Sequence, residues 1–563
     1  MCGIFAIIEQ SITSGFYSNH KNKILDCFTL GRSRGPEHSV LTPVHDQVLF
    51  GFHRLAINGL DDISNQPLVY NGIYLICNGE IYNYKKIYSE LNVSPTTNSD
   101  CEAIIHLYQK YGIEYTLQNL DGDFGFVLYD SNTKQAYIAC DPFGVRPLYY
   151  GMSNGNIVVA SLLKQISGLS DTCYLLKSGS YMKVSLDSND SQLSAPLSYT
   201  HFNYIHNSYD TITTYNNPDN LSYYYNMIYA TLLESVKKRV VTMDRNLACL
   251  LSGGLDSSLI TAMVSKFVPK GKLHTYSIGM SGGSDLKYAR KVSDHIQSNH
   301  TEVILTEDEF FSSIPSVIYA IESYDTTSVR ASVGNYLVAK YISEHSDAKV
   351  IFNGDGSDEL TGGYLYFHKC PSDIEFDFEC KRLITNLQYF DVLRSDRCIS
   401  CHGLEPRTPF LDRTFVHKYL SIPSSLRNHN NNKRMEKSLL RTSIQVNDPD
   451  LLPHEVLWRT KEAFSDGVSS TEKSWYAIIQ DKLNTMYNDT EFSEKSKMYT
   501  VNPPTTKEQL YYREIFESHF SGQGHIIPGY WMPKYCKATD ASARTLDLYN
   551  SLSHQPSNNV SSK

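Results

Sequence analysis

The chain has 563 residues, with 51 basic against 60 acidic side chains, a formal net charge of −9 and 12 cysteines. No basic block stands out, which argues against a nucleic-acid partner. No apolar run reaches the roughly 18 residues that span a bilayer, and so few cysteines do not make a disulfide scaffold. At this length one hydrophobic core is too few, so two or three domains are expected. The N-terminus lacks a basic segment followed by a small-residue cleavage site, which makes a cytoplasmic location the expectation.

The chain opens Met1-Cys2-Gly3-Ile4, and residues 3–8 read as a buried strand. Loss of the initiator Met would place a thiol and a free α-amine on Cys2. Their ordinary pKa values, about 8.5 and about 8, let the amine act as base for its own thiol. The alternative is a small buried hydrophobe. Arg32-Ser33-Arg34-Gly35-Pro36 is a turn with two cations. A strand from Val48 ends in His53-Arg54-Leu55-Ala56-Ile57-Asn58. The apolar run 73–77 leads into Asn78-Gly79-Glu80, where Asn-Gly alone is a common turn. Asn98-Ser99-Asp100-Cys101-Glu102 predicts a helix through Tyr111 with Ser99 as N-cap. Asp121 to Phe126 starts a hairpin that returns through residues 136–140. Short strands and few long helices predict layered sheets over residues 1–185. Residues 186–220 turn polar and read as a connector. A helix from about Asn220 toward Lys238 begins a second domain, taken as 221–540.

The run 247–251 reads as a strand and Ser252-Gly253-Gly254 as a turn. From Asp256 the apolar residues Leu259, Ile260, Met263, Val264 and Phe267 recur at helical spacing. The first N–H groups of such a helix lack intrahelical acceptors and favour an anion. Gly253 and Gly254 let the backbone approach it, and Ser252 and Ser257 add hydroxyls. Asp256 suits such a site if it holds Mg²⁺ bridging to phosphate. The Walker spacing is absent. Strands and helices then alternate: strands at 274–280, 301–305 and 348–352, helices at 285–297, 307–322 (interrupted at Pro315) and 333–343. That alternation predicts a parallel sheet with its ligand at the strands' carboxyl ends. Both glycine–acid turns, 252–258 and Asn353-Gly354-Asp355-Gly356-Ser357-Asp358, lie at such ends. The rest looks helical with loops. Asn428 to Asn432 reads as an exposed loop, Cys398 and Cys401 as reduced thiols, and 541–563 as a frayed tail.

The strings MCGIF, RGP, HRLAI, NGEIYN, SDCE, DGDFGF and DPFGVRPLYY resemble the class II glutamine amidotransferase family. The resemblance implies an N-terminal-nucleophile (Ntn-type) αββα sandwich in which Cys2 attacks glutamine. Asn78 and Gly79 would form the oxyanion hole, Arg54 would hold the α-carboxylate, and Glu80 and Asp100 the α-ammonium. Leu55, Ala56, Ile57 and Asn58 would line that pocket. SGGLDSS resembles the loop of ATP pyrophosphatases. With YDTTSVRAS, NGDGSDELTGGYLYFHK, EPRTPFLD, MEK, WRTKEAFSDGV and WMPKY, the second half resembles the glutamine-hydrolysing asparagine synthetase family. That implies α+β and α/β architecture, with a parallel-sheet ATP-pyrophosphatase domain (adenine nucleotide α hydrolase-like) and a helical C-terminal part. The implied substrates are glutamine, aspartate and ATP. Leu250, Ser252, Gly253, Gly254, Asp256, Ser257, Ile278, Asn353, Gly354 and Lys461 would bind nucleotide, Asp256 and Asp358 Mg²⁺, and Asp355 would serve in catalysis. Arg330 and Arg407 are the aspartate-site candidates. A homodimer is carried as an expectation. A related amidotransferase or cyclising synthetase acting on another carboxylate, or a non-catalytic scaffold, remains open at this point.

The family usually has Arg-His-Arg-Gly-Pro-Asp at 32–37, where this chain has Ser33 and Glu37. It usually has Ser-Gly-Glu-Gly where this chain has Asn353-Gly354-Asp355-Gly356.

Overall fold

The structure is a computed structural model and describes residues 2–9, 15–153, 155–186, 195, 197–198, 221–470, 473–538 and 540–542. The tail beyond 542 and most of the 186–220 connector lie outside the described residues.

The N-terminal half packs two antiparallel sheets face to face. One orders Cys173–Leu175, Tyr149–Ser153, Asn156–Ala160, Gly3–Ile8, Val48–Arg54 and His38–His45; the other orders Leu197–Ser198, Ser180–Ser185, Gln135–Cys140, Gly122–Asp130, Ile73–Ile81 and Leu68–Tyr70. Strand Gly3–Ile8 is central and buried on both faces, which is why it reads as an unbroken apolar run. Alternation sends Ile4, Ala6 and Ile8 into the inter-sheet core with Phe50, Ile76 and Val127. Phe5 and Ile7 face the other way, toward Phe28 and Ile24.

Asn78-Gly79 is no turn: it sits inside strand Ile73–Ile81, with Gly79 opposite Phe124. A Cβ at Gly79 would lie 2.5 Å from the Asp123 carbonyl, so close strand approach sets the residue there. The helix expected from Ser99 runs Glu102–Asn119, with a non-helical Gly112 where Tyr111 was to end it. Its cap position is Cys101. Ser99 Oγ instead accepts from the Cys101 N–H at 3.3 Å, outside the helix.

In the second half, strands Asn299–Leu305, His274–Met280, Leu247–Leu250, Val350–Phe352 and Glu405–Arg407 form a parallel sheet in that order. Helices Leu221–Val241, Leu255–Ser265, Ser284–Ile296 and Thr326–His345 pack with it. The 307–322 segment splits into Glu307–Ser312 and Ile314–Ile321, with Pro315 in the first turn of the second piece, where its missing N–H costs nothing. The Asn-rich stretch departs from its expected exposure. Asn428 and His429 are buried, because Asn428 Nδ2 donates to Asp373 at 2.8 Å and His429 stacks among His368 and Phe376. Cys398 and Cys401 are free thiols that donate to the Ser332 and Cys398 carbonyls. Among the described residues no helix is long and apolar enough to cross a membrane.

Candidate active sites

The first site lies where strand Gly3–Ile8 begins. Cys2 Sγ is 3.6 Å from the Leu55 carbonyl, and the Cys2 N–H donates to Asn78 Oδ1 at 3.1 Å. Burial pushes the thiol up, with the Leu55 contact and Arg54 acting against it. Asn78 is fully buried, yet its Nδ2 has no hydrogen-bond partner among the described residues. A buried unpaired donor is costly, and here it belongs to the residue whose Oδ1 accepts the Cys2 N–H.

Arg54 holds the 59–65 loop, donating to the Asp61 carbonyl and Asn65 Oδ1 at 2.8 Å each and to the Gly59 carbonyl. Asn58 donates to Glu80. Asp100 accepts the Ile81 N–H at 2.6 Å. Burial pushes Asp100 up to about 6, and burial with the neighbouring carboxylates Glu405 and Asp100 raises Glu80 well above its ordinary range. Two acids placed together in a dry site favour a cation between them. The 55–59 segment is clamped by the second half of the chain: Asp244 N–H donates to the Ile57 carbonyl at 2.9 Å, and Arg245 Nε to the Ala56 carbonyl at 2.7 Å. Arg245 also bonds Glu37 at 2.7 Å, and Glu37 accepts the Ala56 N–H at 2.7 Å.

The second site is a cavity of about 180 Å³ at the carboxyl ends of the parallel strands. Leu250, Ser252, Gly254, Asp256, Ser257, Ile278, Asn353, Gly354, Asp355, Asp358 and Lys461 line it. Gly253 does not. Its φ of +78° turns the loop, and a Cβ there would meet the Ala289 nitrogen at 2.4 Å, so it seats the loop on the neighbouring helix. Gly354 serves a similar end, since a Cβ would lie 2.7 Å from the Ser257 nitrogen. The two glycine–acid turns therefore touch.

Their carboxylates converge on one ammonium. Lys437 Nζ lies 2.6 Å from both oxygens of Asp256 and 2.6 Å from Asp358 Oδ1. Lys461 Nζ lies 2.7 Å from Asp358 and 3.8 Å from Asp256. Burial alone would raise the Asp358 carboxyl. The two lysines outweigh it and hold it well below the usual carboxylate range. Asp355 Oδ1 pairs with Arg394 at 2.8 Å, and its Oδ2 is buried with no hydrogen-bond partner among the described residues; burial, opposed by Arg394, raises this carboxyl. Burial likewise pushes Asp285 up to about 6 against the pull of Arg459, which bonds it at 2.8 Å.

Asp256 and Asp358 are the carboxylates that could hold a hard divalent cation, with Lys437 occupying the point where they meet in this structure. Among the described residues no three such side chains form a closed metal site, so an ion here would complete its shell with phosphate oxygens and water, as Mg²⁺ does.

The glutamine amidotransferase domain family matches residues 1–195, and the asparagine synthase family matches residues 227–379 and 371–539. The chain is 41% identical to the protein named asparagine synthetase [glutamine-hydrolyzing] of Gallus gallus over 572 residues, covering 98% of this chain and 99% of that one. The human protein of the same name is 41% identical over 571 residues, with the same coverage. This chain belongs to the asparagine synthetase family. Among solved structures, a glutamine phosphoribosylpyrophosphate amidotransferase from B. subtilis shares 16% identity at a TM-score of 0.28, covering 54% of this chain and 81% of that one.

Within the family frame, two sequence candidates do not line the synthetase cavity. Arg330 is spent on Glu508 (2.6 Å) and Asp540 (2.7 Å), and does not line the cavity. Arg407 is fully buried against Glu405 (2.9 Å) and Glu80 (3.3 Å), on the side of the first site. As aspartate-site candidates both are corrected: each is a buried cation with carboxylate partners of its own.

Sequence reasoning missed Lys437, Arg394, Asp391 and Arg459. Lys437 stood in the quoted MEK string, which was the only signal. Arg394 lies in a helix with no motif attached. The departures from the family pattern are accommodated. Ser33 leaves Arg34 in place, fully buried, with Nε donating to the Cys2 carbonyl at 3.0 Å. Arg34 is itself held by Asp396 at 2.7 and 3.1 Å and Ser400 at 2.9 Å, both from helix Asp391–Ser400 of the second half.

Proposed function

We propose that the chain makes asparagine from aspartate, with glutamine as nitrogen donor and ATP split to AMP and pyrophosphate. The observation that carries this reading is the 41% identity spanning 98% of the chain. In this reading residues 1–185 form the glutaminase domain and 221–540 the synthetase domain.

With Met1 removed, the Cys2 thiol attacks the side-chain amide carbon of glutamine and its proton passes to the α-amine. Asn78 Nδ2 and the Gly79 N–H receive the developing oxyanion; such donors supply ~3–4 kcal/mol each. Arg54 takes the glutamine α-carboxylate, and Glu80 and Asp100 its α-ammonium. Leu55, Ala56, Ile57 and Asn58 shape the pocket. The amine leaves as ammonia, and water releases glutamate from the thioester.

In the synthetase cavity the β-carboxylate of aspartate attacks the α-phosphate of ATP. Leu250, Ile278, Asn353 and Gly354 border the nucleoside. Ser252, Gly254 and Ser257 present backbone and hydroxyl donors to the phosphates, Gly253 shapes the loop that carries them, and Lys461 neutralises the charge. Mg²⁺, when held by Asp256 and Asp358, would supply further charge neutralisation on the leaving pyrophosphate. Asp355, with one oxygen unpaired, stands ready to hold a proton or an incoming amine beside the adenylate. Ammonia then displaces AMP. A cytoplasmic location and a homodimeric state belong to the same proposal and are checked by fractionation and sedimentation.

The test is direct. Purified protein given glutamine, aspartate, ATP and Mg²⁺ should yield asparagine, glutamate, AMP and pyrophosphate in equal amounts. ADP in place of AMP, or turnover with another carboxylate but not with aspartate, would defeat it.

A further inference from the structure

Aspartate carries two carboxylates and one ammonium, and one carboxylate must reach the α-phosphate. The other two charges need partners in the same cavity. Among its described lining residues, two side chains are cationic, Lys461 and Arg394. Lys461 is turned to Asp358 and Asp256, on the phosphate side. Lys437 is buried behind them and does not line the cavity. Arg394 is therefore the cation left for the α-carboxylate.

Its geometry suits that task. Arg394 contacts Asp355 (2.8 Å) and Asp391 (3.1 Å) through Nη2 alone. Of the five N–H donors of a guanidinium fork, those on Nε and Nη1 hold no partner among the described residues. A carboxylate can dock on that free edge in the bidentate manner arginine favours.

Beside it, Asp391 Oδ2 stands 3.5 Å from the Tyr364 hydroxyl, and Asp391 also faces Glu359, whose own oxygen is bonded by Tyr364. Arg394 covers Asp391 Oδ1 at 3.1 Å, but among the described residues neither Asp391 Oδ2 nor Glu359 is ion-paired, and an α-ammonium is the cation aspartate brings. Behind the pair the cavity narrows to a recess of about 20 Å³ against Phe390 and Trp531, room for little more than one water.

We infer that Arg394 binds the α-carboxylate of the amino-acid substrate and Asp391 its α-ammonium, so that this pair selects aspartate. The assignment rests on the function proposed above. It replaces the buried Arg330 and Arg407 with a cation that lines the cavity.

The test crosses variants with truncated substrates. 3-Aminopropanoate is aspartate without its α-carboxylate, and succinate is aspartate without its α-amine. Pyrophosphate release is followed with each acid at saturating ATP. Arg394→Gln should lower kcat/KM for aspartate by about 100-fold, as expected when one partner of a desolvated charge pair is removed. It should leave kcat/KM for 3-aminopropanoate nearly unchanged, because that substrate has nothing to lose there. Asp391→Asn should show the same pattern with succinate. Arg394→Lys keeps the charge without the fork and should fall between. Equal losses with aspartate and the truncated acid would overturn the assignment, as would a KM for ATP that rises in step with that for aspartate. Glutamine hydrolysis at the other site reports whether each variant has folded, and Asp391→Asn, nearly isosteric, tests the assignment if Arg394→Gln does not fold. Wild-type protein that releases no pyrophosphate with aspartate would defeat the proposed function itself and this assignment with it. Wild-type turnover without the predicted selectivity defeats the assignment alone.

Discussion

Lys437→Met removes the ammonium that three carboxylate oxygens share at 2.6 Å. The lysine side chain is 1% exposed, so water cannot take its place. Removing one partner of a buried ion pair costs about 3–5 kcal/mol, because the charge left behind stays desolvated. Lys461 remains 2.7 Å from Asp358 but 3.8 Å from Asp256, so it covers one carboxylate and only weakly the other. The loss should fall near the lower figure, about 3 kcal/mol, which is about 100-fold in a rate or an equilibrium. Part will appear as a lower Tm. The rest will appear as slower pyrophosphate release with ammonia as nitrogen source, since the two glycine–acid turns no longer share a counter-ion. The sign of the pH dependence follows from Asp358. Its carboxyl is depressed in the folded protein, so its stabilising contribution is present above the ordinary carboxylate range near pH 4 and is lost as pH falls below it. In Lys437→Met that acid-side loss should be smaller and should finish at higher pH, because the folded-state carboxyl then lies closer to its ordinary value. A variant with wild-type Tm, wild-type pyrophosphate release and an unmoved acid limb would refute the idea that Lys437 ties the turns together.

Further outcomes are expected at both sites. Asn78→Ala should slow glutamine hydrolysis by about 100- to 1,000-fold, as loss of one oxyanion donor does, while ammonia-dependent synthesis continues. Asp396→Asn weakens the hold on Arg34 and hence on the Cys2 carbonyl; kcat for glutamine hydrolysis should drop with little change in glutamine KM, measured as glutamate formed. Asp100, pushed up to about 6, must ionise to hold an ammonium, so glutamine KM should rise as pH falls through about 6, and Asp100→Asn should flatten that profile at a high KM. The raised carboxyl also means that folded-state stability contributed by Asp100 declines as pH climbs from about 4 to about 6. Asp355→Glu adds about 1.5 Å of reach, a displacement able to change rates by about 100-fold; unchanged pyrophosphate release and unchanged asparagine formation would argue against a direct role for that carboxyl.

Much of the fold was legible because it follows local pattern. Residues 3–8 form an apolar run since both faces of that strand are covered, and strand–helix alternation after Leu247 announced the parallel sheet. The anion loop was legible for the same reason: glycine, hydroxyl and acid residues crowd into one short stretch between a strand and a helix. The turn reading that Asn78-Gly79 would suggest by itself does not hold, because the dipeptide is recruited into a strand by pairing with Phe124, 45 residues on. Asn428 misled because its polarity is satisfied inside, by Asp373. The partners of Lys437, Arg394 and Arg34 could not be read. Their meaning lies in contacts made across 181, 39 and 362 positions, and nothing in the local sequence encodes them.

The central claim is that one chain moves nitrogen from glutamine onto an aspartate activated as its adenylate. Isotope transfer measures this in a single incubation with amide-¹⁵N glutamine, aspartate bearing ¹⁸O in its β-carboxylate, and ATP. The account predicts asparagine carrying ¹⁵N and AMP carrying one ¹⁸O, with none in pyrophosphate. Label in inorganic phosphate alongside ADP, or asparagine without ¹⁵N, would contradict it.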